Sequence, residues 1–109
     1  MKLTDEDRAR LKTANPDALV VRTKELPDHD FVFRQMRVAE LDAFLGAVNG
    51  DDETAKVNAH RTLAKDLLVF PAADVWDDVV TQKPAVAHTI GVELSKRAGL
   101  NATVQVDTL

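Results

Sequence analysis

The feature that most constrains this chain is the stretch Phe31 to Val48, FVFRQMRVAELDAFLGAV, where the apolar period changes from that of a strand to that of a helix within four residues. Phe31 and Phe33 alternate with Val32 and Arg34, as on a pleated strand. Val38, Leu41, Phe44, Leu45 and Val48 then recur at three- and four-residue steps and form one stripe, while Glu40, Asp42 and Ala43 turn away from it. Glu40 falls in the first helical turn, where a carboxylate can accept from unpaired backbone N–H groups, and Arg34 is near enough in sequence to reach back toward it. An aromatic strand that hands over directly to an amphipathic helix must rest its rings on further helices, because two strands alone are marginal.

The flanking sequence supplies both partners. Val20, Val21 and Thr23 favour an extended segment over 18–24, and the Pro27-Asp28 turn predicts an antiparallel hairpin with FVFRQM, its Phe31, Phe33, Leu19 and Val21 side against the helices. After Asn49-Gly50, expected to leave the first core helix in a left-handed conformation, Asp51 is placed to cap a helix over Thr54–Phe70, with Ala55, Ala59, Leu63, Leu67 and Phe70 on one side and Val57, Ala64 and Leu68 nearby. Pro71 ends it. A helix over Ala72–Gln82 turns Trp76, Val79 and Val80 inward and Asp74, Asp77 and Asp78 outward. Pro84 opens a last helix over Ala85–Ala98, with Val86, Ile90, Leu94 and Ala98 facing in and Gly99 closing it. At the front, Thr4 and Asp7 form a capping box on a short polar helix over Thr4–Lys12, whose only large apolar residues, Leu3 and Leu11, predict loose docking. The fold class is mainly α with a small β-hairpin packed on a bundle of about four helices. It is one domain: extension 1–17, hairpin 18–36, bundle 37–99 and tail 100–109, the tail being open to pairing as an edge strand, to local packing or to mobility.

Composition removes several classes of function. No cysteine is present, so disulfides, cysteine metal sites and thiol nucleophiles are absent. Fourteen basic against 18 acidic residues leave a formal net charge of -4, with no basic run, which argues against nucleic acid as the main partner. No segment has the apolar length of a membrane span or the h-region of a signal peptide, so a soluble, cytoplasmic protein is expected. His29, His60 and His88 lie on a turn and two different helices without ligand spacing, Ser95 has no nucleophile elbow around it, and the four glycines never cluster into a phosphate loop. Asp51-Asp52-Glu53 suits a helix start, and Asp77-Asp78 suits a solvated or partner-facing helix side. No catalytic, cofactor or metal site is therefore assigned. Phe70 and Trp76 flank a proline-marked junction, as core or as an anchor for an apolar partner. Gly91, in mid-helix, reads as a close approach of another helix or as a point of flexure.

The run Phe31-Val32-Phe33-Arg34, followed six positions after the arginine by Glu40 at the start of an Ala/Leu/Phe helix, resembles the opening signature of the small tail assembly chaperones of long-tailed bacteriophages and prophages. LAKDLLVFP, from Leu63 to Pro71, is similar to that family's apolar helix ending at a proline, and PAVAHTIGVELSKRAGL, from Pro84 to Leu100, to its last helix and closing glycine. The likeness spans residues 19–100. It departs at Arg37, where such proteins often carry a capping threonine, so the capping box is left incomplete.

The resemblance implies a non-enzymatic role without cofactors: binding the long, apolar tape measure protein, keeping it soluble, and yielding to tail tube protein subunits that polymerise around it. It also implies self-association as a homo-oligomer and absence from the mature particle. Phe33, Arg34 and Glu40 carry the signature, read first as a structural junction, and Leu67, Phe70 and Trp76 are the candidates for a groove or self-association surface. The alternative is a small structural adaptor retained in the particle, which mass spectrometry of purified particles would separate from a chaperone.

Overall fold

The aromatic strand occupies the middle of a sheet, not one side of an isolated hairpin. The computed structural model describes residues 1–100 and 102–109, and among these the elements are α1 (Asp5–Ala14), β1 (Leu19–Val21), β2 (Phe31–Phe33), α2 (Val38–Asn49), α3 (Glu53–Leu67), β3 (Leu68–Phe70), α4 (Ala73–Gln82) and α5 (Pro84–Arg97). The protein is mainly α with a small antiparallel sheet of order β1-β2-β3. β3 is a correction. The residues expected to finish the third helix leave it after Leu67 and pair with β2, Val32 opposite Phe70 and Phe33 opposite Leu68 across an irregularity. The run LLVF satisfies a helical stripe and a strand equally well, and the open edge of β2 decides between them.

All three residues of β2 are buried. Phe31 and Phe33 face the helices and join Leu63, Leu67, Trp76, Ile90 and Leu94 in the main core, with Leu19 and Val21 against it. Val32 faces the other way and packs with Leu11 and Phe70 in a second, smaller cluster. Thus α1, expected to dock loosely, covers the sheet's second face through Leu11. Its start is closed as anticipated: the Asp7 N–H donates to Thr4 Oγ1 at 3.0 Å and the Thr4 N–H to Asp7 Oδ2 at 3.1 Å.

The helical layer is built on α3 and α5. At Gly91 the α5 backbone passes so close to α3 that an added Cβ would overlap the His60 carbonyl. Close approach, not flexure, accounts for this glycine. Other local readings change by a residue or a turn. Asp52, not Asp51, caps α3, its Oδ1 accepting from the N–H groups of Thr54 and Ala55, and the helix proper starts at Glu53. Gly50 exits in an extended conformation (φ −81°), and the left-handed glycine is Gly99 (φ +93°). Ala98 is exposed, having passed the last turn that faces the core. Val38 and Val57, placed on or beside apolar stripes, are 71% and 66% exposed, because the stripe that packs is narrower than the apolar pattern.

Candidate functional site

The junction after β2 is held by one guanidinium. Arg34 Nη1 donates to Glu40 Oε1 at 2.5 Å, its Nη2 to the Asp66 carbonyl at 3.3 Å, and its backbone N–H to the Leu67 carbonyl at 2.9 Å. Glu40 Oε1 also accepts from the Arg37 N–H at 3.0 Å, so half of a capping box forms although Arg37 supplies no side-chain acceptor. The hydrogen bond from Arg34, then that from the Arg37 backbone, holds the Glu40 carboxyl below its ordinary value. Arg34 therefore fixes the start of α2 against the end of α3.

That placement shapes a groove. Between α2 and α3 runs an open channel of about 120 Å³, walled by Ala43 and Ala47 on one helix and Ala55 and Ala59 on the other, with Phe44 and Leu63 at its floor. Alanines four apart on both helices bring the walls low, and Glu40 and Asp66 stand at one end. The sides of the channel are aliphatic, and of the two carboxylates at its end Glu40 is already paired with Arg34. Val38 and Val57 add apolar surface to the outsides of the same two helices.

The sequence candidates divide. Arg34 and Glu40 meet, and Glu40 reaches the groove. Phe33 is interior, its ring edge-on to Trp76 at 5.8 Å between centroids, and Phe31 meets Trp76 likewise at 5.4 Å. Leu67 and Trp76 are buried among them, and Phe70 is buried on the opposite sheet face with Leu11. These side chains are spent on the fold and present no surface of their own. Of the histidines, His60 and His88 come together edge-on at 5.0 Å, with Phe44 beyond at 4.9 Å from His60, and burial, then the charge of His88, lowers the His60 pKa. Among the described residues no group of three or more His, Cys, Asp or Glu could hold a metal ion, and no helix is long and apolar enough to cross a membrane.

A family model described as a domain of unknown function, DUF6848, matches residues 17–107. The chain belongs to the DUF6848 family. No curated protein and no solved structure matches it. The DUF6848 match takes in the Arg34–Glu40 junction, both walls of the groove and the stretch beyond α5, and leaves out α1. The groove residues that sequence reading missed are alanines, which carry no chemistry of their own. Their one signal was repetition at four-residue spacing, Ala43 with Ala47 and Ala55 with Ala59.

Because Glu40 stabilises in its charged form, the sign of its pH effect is fixed. A carboxyl whose folded pKa lies below the ordinary 4.5 contributes fully above that value and loses its contribution as pH falls through it toward the folded pKa. Glu40→Gln is expected to flatten the acid limb of stability. Urea midpoints between about pH 3 and pH 6 check this. Parallel wild-type and variant curves would show that the pair adds nothing.

Proposed function

We propose that this protein is a phage or prophage tail assembly chaperone: it binds the tape measure protein, keeps it soluble, and releases it as tail tube subunits assemble. The observation that carries the reading is the alanine-walled groove between α2 and α3, set beside the Phe-Val-Phe-Arg…Glu junction on which the resemblance rests. A long amphipathic helix in isolation exposes an apolar stripe that aggregates. Seating short lengths of that stripe in many copies of a small groove covers it while keeping each contact weak. A shallow channel with two carboxylates at one end suits contacts of that strength, since it offers aliphatic burial and little directional bonding.

Co-expression with the cognate tape measure protein tests the proposal. The tape measure protein is expected in the soluble fraction only when this protein accompanies it, and the purified tail is expected to lack this protein. Equal insolubility with and without it, over a full range of ratios, would overturn the reading. Retention in the finished particle at a fixed copy number would turn it into the adaptor.

A further inference from the structure

The backbone pairing of β2 reveals which atoms of β1 remain open. Arg34 sends its N–H across to the Leu67 carbonyl beside β3. Alternation along an antiparallel strand then turns the N–H and C=O of Phe33 and Phe31 toward β1, where they pair with Leu19 and Val21. Val20, between those two, turns its own N–H and C=O outward to the free edge of the sheet. Beside that edge lies a second groove, of about 360 Å³, floored by Leu19, Val21, Ile90 and Leu94 and rimmed by Glu93 and Arg97. An edge strand flanked by a helix with an apolar floor between them is the geometry of strand addition.

The chain carries a segment that matches it. Residues 103–107, Thr-Val-Gln-Val-Asp, alternate polar and β-branched side chains. Val104 and Val106 are 78% and 86% exposed, an alternating apolar pair with nothing over it. The DUF6848 match continues through this segment. Asn101, part of the tail considered for edge pairing, lies outside the described residues.

We propose that residues 103–107 of a second copy add to β1 as a fourth strand, parallel to it and centred with Gln105 beside Val20. In that register the Val20 N–H donates to the carbonyl of Val104, and the Val106 N–H donates to the Val20 carbonyl. Val104 and Val106 share the face of Leu19 and Val21 and enter the groove over α5, while Gln105 shares the face of Val20. Asp107 comes opposite Arg22, whose Nε donates to Asp30 Oδ1 at 2.8 Å and whose side chain is half exposed. This charge match selects the parallel direction, because the antiparallel one sets Thr103 against Arg22. A second copy is the occupant because a single chain leaves its own segment exposed on all described positions beyond Leu100. The surface is separate from the α2/α3 groove, so it stands or falls apart from the chaperone reading.

The absence of cysteine from the chain makes the test clean. Val20→Cys and Gln105→Cys proteins, both substituted at exposed positions, are mixed in equal amounts and oxidised. A disulfide-linked mixed dimer is expected, absent from either protein alone in a Val20–Gln105 form by peptide mapping and lost when the Gln105→Cys protein also carries Val104→Lys and Val106→Lys. No mixed dimer would overturn the proposal. So would a Val20→Cys/Gln105→Cys double variant that closes its link within one chain while the mixture stays monomeric, since the chain's own segment would then fill the groove.

Discussion

Trp76→Ala is expected to lower stability by about 3–5 kcal/mol, the usual cost of emptying a large aromatic site in a core. Only 2% of Trp76 is exposed, and its ring meets Phe31 and Phe33 edge-on, so one truncation strips the support from both aromatics of the central strand. A domain of this size commonly holds about 5–15 kcal/mol in all, so the variant sits near or past unfolding. Thermal unfolding followed by far-UV circular dichroism should show a Tm lower by more than about 10 °C, or no cooperative transition. Trp76→Phe should lose markedly less. A Trp76→Ala protein as stable as the wild type would mean that Trp76 lies outside the core.

Gly91→Ala is expected to destabilise although alanine is the better helix former. Intrinsic propensity favours the substitution by about 1 kcal/mol. Against this stands a Cβ directed into the His60 carbonyl, backbone that cannot rotate away, so α3 and α5 must separate. Overpacking of a closed interface costs about 1–3 kcal/mol, occasionally more, and the net effect is a loss. Urea unfolding with unchanged slope and a lower midpoint is the expected result. A midpoint raised by the propensity gain would contradict the α3–α5 contact.

How much of this was legible in the chain follows from which signals are local. The Thr4–Asp7 box and the Arg34–Glu40 pair join residues three and six apart, and both form where sequence places them. The inward set of Phe31, Phe33, Leu63, Ile90 and Leu94 follows from period alone. β3 was hidden because Leu68–Phe70 fits two periods at once, and the strand that settles the choice is more than thirty residues away in sequence. Burial of Val32 depended on α1 crossing the sheet, a tertiary event that Leu11 alone announces weakly. Phe70 and Trp76 could be read as core or as anchors, because large apolar residues crowd around Pro71 and crowding does not tell inside from outside; the structure buries both. The candidate groove was the least legible part. Its walls are alanines, and a groove is made by what side chains leave out.

The proposed chaperone role is tested most directly by filling the channel without harming the fold. Ala43 is exposed on the groove wall, so Ala43→Arg should leave far-UV circular dichroism and Tm close to wild type while projecting a long charged side chain across the α2/α3 channel. Co-expressed with the tape measure protein, this folded variant is expected to leave it in the pellet where the wild type keeps it in solution. A folded Ala43→Arg protein that solubilises the tape measure protein as fully as the wild type would contradict the groove as the working surface.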